Sequence, residues 1–511
     1  MSNDSRTNNS IRNSIMVLCE QMVYNVLSFI CRTVFIYSLG KTYLGFSGLF
    51  SDILSLLSLG ELGVGTAITY SMYKPAAEGD YKKLAALLNL YKRVYTIIGI
   101  GITIAGLCLT PFLGLFISDI PDIPELPIIY ILYLLSSTSS YFFVYKKSIL
   151  ITDQKSYIAS LIYIVTISLQ NICQIVILLL FKNFIFYLVL QVLFSLINNI
   201  SISIYVDKHY IELKEYGNEK LSKGETKVIY DNIKAMFLSK LSSAVVTSTD
   251  NLIISTFVST ITLGLYSNYT LFVTMFRNIT IKIFEALHGS VGNLIVLEKP
   301  EKIYQVFKEL WFTNFWLVSF CASGLYVLIN PFIKLWVGDS YLLGEQVVFI
   351  ICLNLYMRLI RNTFLAFIDT YGLFKELRWK CIAEALINLI TSLIFVINLD
   401  MGIYGVLLGT FVSNILTNFW YEPYLLFVKK FNVSLFQYFK LFFEYFLCTV
   451  FATLLAKVFC DYVVVISGWL GFAFKLISCC VIINGLYVLI FHKTSEFEYL
   501  LNVLKNRLKI K

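Results

Sequence analysis

The chain has little charge. Asp, Glu, Lys and Arg make up 14% of its 511 residues, while 58% are hydrophobic; a soluble domain carries about 25% charged residues. That balance excludes a soluble enzyme and a disordered chain, and leaves a polytopic membrane protein. A transmembrane barrel would show short alternating segments. The apolar runs here are long and unbroken, so the spans are helices. Histidine is almost missing, at 3 residues, and the 11 cysteines form no Cys-x-x-Cys pair and no Cys/His cluster. Most cysteines, such as Cys19, Cys31 and Cys352, sit in apolar runs and read as small buried hydrophobes. There is no Walker A loop, HExxH, GxSxG or metal-ligand spacing. No catalytic set, cofactor, metal or ATP-hydrolysing pump is therefore expected. No outer loop is long enough to hold the external active site of a membrane glycan polymerase or ligase.

What is present are apolar runs at 13–39, 43–72, 91–116, 127–150, 156–181, 184–205, 232–257, 262–291, 310–331, 346–369, 379–398, 402–428, 437–459 and 467–491. These are about fourteen spans by the ~20-residue length that crosses a bilayer core. The first run is long and lacks a small-residue cleavage site, so it reads as a retained span rather than a signal peptide. The net charge of +9 lies in alternate connections. One set includes Lys82, Lys83, Lys92, Arg93, Lys146, Lys147, Lys155, Lys208, Lys220, Lys227, Lys302, Lys375, Arg378, Lys380, Lys429 and Lys430. The other has only Lys41, Lys182, Lys334 and Lys457, and includes the acidic 118–127 loop with Asp119, Asp122 and Glu125. By the positive-inside rule the first set and both termini are cytoplasmic. This charge is explained by cytoplasmic loops and gives no reason to invoke nucleic acid. Segments 81–91 and 303–311 are amphipathic and read either as interfacial helices or as extensions of the next span.

The stretch 43–75, YLGFSGLFSDILSLLSLGELGVGTAITYSMYKP, opens on a Gly-rich corner at Leu44-Gly45-Phe46-Ser47-Gly48 and carries Asp52 and Glu61 inside an apolar run. The pattern returns after Leu263-Gly264, where Glu285, Gly289-Ser290 and Lys299-Pro300 echo Glu61, Gly65-Thr66 and Lys74-Pro75. Two related halves are a common plan for transporters. The longest polar connection, 207–227, divides six spans from the rest. The division expected is a six-helix lobe and linker over 1–228, a second six-helix lobe over 229–430, and two further spans with a cytoplasmic tail over 431–511.

A charge at a span centre costs about 2.5–3.5 kcal/mol on insertion scales, so each needs a reason. Arg32, Lys240, Asp250, Arg277, Lys282, Glu285, His288, Arg358, Arg361 and Glu384 all lie in apolar runs. Arg277, Glu285 and His288 share one helical face, and Arg358 and Arg361 are i,i+3 neighbours. Adjacent arginines repel unless an anion lies between them, and the planar guanidinium fork suits phosphate. A water-filled cavity lined by Arg32, Arg277, Arg358 and Arg361 would attract an anionic headgroup; snorkelling or ion pairing is the plainer account of each. Asp250, in Ser248-Thr249-Asp250-Asn251, and Glu61, among Gly60, Gly63 and Gly65, are the candidate ion-coupling carboxylates, with ion pairing again the alternative.

The 43–75 stretch, followed by LNLYKRVYTIIG at 88–99 and by STDNLIISTFVSTITLGLYSNY at 248–269, resembles the Wzx-type polysaccharide repeat-unit flippases of the multidrug/oligosaccharidyl-lipid/polysaccharide exporter superfamily. The resemblance runs over nearly the whole chain. It implies an all-α fold of two six-helix lobes plus two C-terminal helices. It also implies movement of undecaprenyl-diphosphate-linked oligosaccharide from the inner to the outer leaflet of the bacterial cytoplasmic membrane, next to glycosyltransferases and a polysaccharide polymerase. The diphosphate-holding role maps onto Arg32 and Arg277, then onto Arg358 and Arg361. A cation-coupled multidrug exporter of the same superfamily is the alternative, and a glycan polymerase a more distant one.

The topology is directly testable. Cysteine placed at Lys220 is expected to be shielded from an impermeant thiol reagent on intact cells, and cysteine placed at Asp122 to be labelled. Labelling at 220 but not at 122 would overturn the orientation.

Overall fold

Inside a bilayer no water can satisfy backbone N–H and C=O groups, so a spanning chain must bond internally. The computed structural model describes residues 3–508 apart from 62–63, 118–122, 218 and 464–465, and among these it is helical with no strand. Among the described residues, every apolar run read from the sequence falls mainly on helix. Among the described residues ten helices are long and apolar enough to cross a membrane, or eleven if one bent pair is a single span.

Two compact units divide the chain, Met1–Gly264 and Leu265–Lys511. The first contains α1 (Asn3–Leu57), α2 (Val64–Glu78), α3 (Tyr81–Leu109), α4 (Leu126–Thr138), α5 (Val144–Thr152), α6 (Ser156–Phe181), α7 (Phe184–His209), a short α8 (Glu212–Glu215) and α9 (Lys223–Ile253). The helical stretches Leu126–Phe142 and Val144–Thr152 meet at an angle of 47°. α9 packs on α1 and α2 and so belongs to this unit, which runs to Gly264. That linker folds back on the start of α3. Asn89 Nδ2 donates to the carbonyls of Gly217 (2.8 Å) and Glu219 (3.0 Å), and Lys82 and Lys83 pair with Glu219 (3.3 Å) and Glu225 (2.8 Å). Bonds from Lys83 and Ser222 hold the Glu225 carboxyl down to about 2. A depressed carboxyl keeps its pairing until pH falls toward that value, so the clasp is intact across the physiological range.

The second unit contains most of α10 (Thr260–Leu297), then α11 (Pro300–Val337), α12 (Glu345–Leu359), α13 (Asn362–Thr370), α14 (Phe374–Leu393), α15 (Gly402–Leu416), α16 (Asn418–Phe427), α17 (Leu435–Tyr462), α18 (Gly468–Phe491) and α19 (Ser495–Leu508). Its hub is α11, with Phe307, Trp311 and Phe315 fully buried. Phe315 stacks on Tyr445 of α17 at 4.3 Å between centroids, Trp316 Nε1 donates to Asn484 of α18 (2.8 Å), and Ser323 bonds Thr453 (2.6 Å). The last two spans thus share the core of this unit. α19 is tied to α11 by the Lys308–Glu496 pair (3.5 Å) and by Phe497 stacked on Trp316.

One open alternative is decided and two local expectations change. Segments 81–91 and 303–311 are the first turns of α3 and α11, so they are extensions of spans. The corner lies at Gly40, with φ 80°, a value glycine adopts freely; residues 45–48 are helical. Pro75 lies inside α2, whereas Pro300 begins α11, so these two echoes are not structurally equivalent. The glycines of the repeat serve contact instead. A Cβ on Gly45 would collide with the Thr260 carbonyl, and one on Gly264 would stand 2.7 Å from the Lys41 carbonyl oxygen and 2.8 Å from the Gly45 nitrogen. The two Leu-Gly motifs meet where α1 crosses the start of α10, a close approach that small residues permit.

Gly264→Val should therefore lower stability by about 1–3 kcal/mol, the usual cost of overpacking. Gly101→Val serves as control, because a Cβ there meets nothing within 4 Å. Thermal unfolding in detergent measures both; equal melting temperatures would refute the close crossing.

Candidate functional site

In the first unit the helix carrying Arg32 was set by an uninterrupted apolar run; of the tyrosines near it, Tyr24 is on the same helix, and Tyr133 and Tyr187 come from α4 and α7. Arg32 is half-buried, with Tyr24, Tyr133 and Tyr187 as its electrostatic neighbours. Tyr133 Oη donates to Ser47 Oγ (2.7 Å). Phe35 packs edge-on against Phe184 and Tyr187, with centroids 5.3 and 5.4 Å apart. A planar guanidinium can recognise an anion, and phenol hydroxyls nearby can bond to hydroxylated groups.

Glu61 and Asp250 lie near places where helices break. α1 gives way to a 3-10 turn over Ser58–Glu61 before α2, and α9 gives way to a π-helical turn over Ile254–Val258. Asn251 Nδ2 donates to Asp52 Oδ2 (2.9 Å), and Ser248 Oγ donates to Ser55 Oγ (3.3 Å). Asp250, the residue before Asn251, is buried. Glu61 lies close to Tyr141, whose hydroxyl donates to Ser58 Oγ (3.0 Å). The rings of Tyr91 and Tyr95 lie 4.7 Å apart, and their hydroxyls fill the space a Cβ on Gly65 would take. Asp52 and Glu61, nine residues apart, accordingly face different partners.

In the second unit Arg277 is half-buried on α10. The side chains of Lys240, Glu285 and His288 lie outside the described residues, so of the face expected from Arg277, Glu285 and His288 only Arg277 is described. Arg358 and Arg361 separate. α12 ends at Leu359 and α13 starts at Asn362; Arg358 is exposed, while Arg361 turns inward. Its Nε and Nη2 donate to the two carboxylate oxygens of Glu422 (2.8 and 2.6 Å), and its Nη1 donates to Asn414 Oδ1 (3.3 Å). Lys380 reaches the same carboxylate (3.0 Å) and Glu384 (3.3 Å). Glu422 is 0% exposed, Lys380 6%, Glu384 15% and Arg361 17%. With two cations and two anions the cluster is neutral. The anion required beside Arg361 is thus a residue of this chain. Glu422 was missed from the sequence, where a lone Glu before Pro423 inside an apolar run was the available signal; Lys380 was expected in a cytoplasmic connection and is instead 6% exposed and paired with Glu422 and Glu384.

Removing one partner of a buried pair leaves an uncompensated charge and costs about 3–5 kcal/mol. Arg361→Ala is expected to lower the melting temperature sharply and reduce membrane levels. Arg358→Ala should leave both near wild type. A stable Arg361→Ala protein would show that Glu422 has another neutralising partner.

No family model and no curated relative matches the chain. Solved structures do. The lipid II flippase MurJ in an inward closed conformation aligns with 94% of this chain and 99% of its own, at 18% identity and TM-score 0.64. An inward-facing multidrug resistance MATE family transporter of the MOP superfamily aligns with 77% of this chain and 92% of its own, at 14% identity and TM-score 0.61. A MOP superfamily transporter from Pyrococcus furiosus, described as having reversed binding-pocket polarity, aligns with 81% and 93%, at 15% identity and TM-score 0.55. The chain therefore has the all-α membrane fold of the MOP superfamily transporters.

Proposed function

We propose that the chain is a flippase that moves undecaprenyl-diphosphate-linked oligosaccharide repeat units across the bacterial cytoplasmic membrane by alternating access. Its product would feed capsule, exopolysaccharide or another surface polysaccharide. The observation that carries the reading is the likeness to MurJ, described as a lipid II flippase, over almost the full length of both chains; the MATE structures leave about a fifth of this chain unmatched. Intramembrane arginines add to it, since a diphosphate presents oxygens that bidentate guanidinium groups fit.

In this reading Arg32 and Arg277 hold the diphosphate, with the tyrosines beside Arg32 meeting the first sugars. Arg358 assists. Arg361 keeps its charge on Glu422 and supports the α12–α13 break. Asp250 and Glu61 are the ion-coupling carboxylates. Both termini are cytoplasmic, and glycosyltransferases and a polymerase act before and after transport. The second reading, a multidrug exporter, draws on the MATE likeness; arginines inside the spans disfavour cationic drugs as cargo.

In a strain whose surface glycan depends on this gene, deletion should trap lipid-linked single repeats on the inner leaflet. A polymerase defect would display them outside. Arg32→Ala and Arg277→Ala are expected to abolish export at near-normal protein levels. Arg277→Lys should retain part of it, because the charge stays and the fork is lost. Normal export by both alanine variants would place the headgroup elsewhere.

A further inference from the structure

Lys380 occupies a position of unusual chemistry for a membrane helix. Its ammonium donates to Asn418 Oδ1 (2.5 Å) and Glu422 Oε1 (3.0 Å), and lies 3.3 Å from Glu384 Oε2. These oxygens come from α14 and α16, and their other bonds hold them in place. Asn418 Nδ2 donates to Glu384 Oε1 (2.6 Å) and to Asn414 Oδ1 (2.6 Å). Glu422 is clamped by the Arg361 fork. A small cavity lined by Trp311, Phe364, Tyr438 and Phe442 abuts Arg361, Asn418 and Glu422.

We propose that this is a monovalent-cation site whose resident cation is the tethered ammonium of Lys380. Hard cations are bound by sets of carboxylate and carbonyl oxygens, and a net charge balance of one cation per unpaired carboxylate suits a monovalent one. A lysine head presents a compact point charge on a flexible stem, so it fills the shell from inside the protein. A free cation has no vacancy there while the lysine is present. Arg361 neutralises Glu422, and Lys380 neutralises Glu384, the second carboxylate of the cluster. The second unit thus carries its own counter-cation at these carboxylates. The inference stands on this geometry and is independent of which substrate the protein carries.

Lys380→Met empties the shell while keeping much of the stem volume. Purified full-length protein would be melted in sodium, lithium or choline chloride at constant ionic strength. The expected result is a saturable rise in Tm of a few degrees for Lys380→Met in sodium or lithium over choline, as linkage requires of a ligand that binds only the folded state. That rise should exceed the wild-type response and vanish in Lys380→Met/Glu384→Gln, where the uncompensated carboxylate is gone. A Lys380→Met protein no more responsive to sodium or lithium than wild type would overturn the proposal. If Lys380→Met yields no folded protein in any of these salts, the double variant decides. Its recovery as folded protein with no cation preference supports the assignment, because charge balance is restored without any cation. Its failure to fold would mean that Lys380 acts by packing and not as a counter-cation.

Discussion

Glu422 is a fully buried carboxylate in a helix that crosses hydrocarbon, and much of the second unit is arranged to neutralise it. The charge is tolerable only with excellent geometry and full hydrogen bonding. The break between α12 and α13 lets Arg361 turn toward it with both fork nitrogens. α14 brings Lys380 from one side. Asn414 on α15 and Asn418 on α16 fill the remaining donor and acceptor positions. Five helical segments are thereby held in one register. The aromatic core around α11 supplies the bulk of the packing, but stacking and edge contacts are less directional than charge-assisted bonds.

The first unit solves a different problem. Its intramembrane carboxylates stand at interruptions of helices: Glu61 in the 3-10 turn before α2, and Asp250 just before the π-helical turn that ends α9. Irregular backbone at membrane depth is tolerated only where protein or a polar cavity covers it. The covering here is Tyr141 and Ser58 near Glu61, and the Asp52–Asn251 bond beside Asp250. Glycine contacts between α1 and the start of α10 bring backbone close enough for such cover. Sites at broken helices are a recurrent way for transporters to present backbone and side-chain groups to cargo or ions.

The helical class and the order of the spans were legible in the sequence, because hydrocarbon imposes a length and a polarity on each span that needs no knowledge of neighbours. Arg32, Asp52, Glu61, Asp250, Arg277 and Arg361 were also legible as charges needing a reason, because insertion cost is a property of one residue and its depth. What that reason is depends on other helices. Only the tertiary structure decided that Arg361 faces Glu422, 61 residues away in sequence, and that Arg358 does not share its environment. An i,i+3 rule holds along a continuous helix, and this helix stops between them. The same limit applied to Gly45 and Gly264. The sequence marked them as matching motifs, while their contact is a product of chain crossing, which no local pattern encodes.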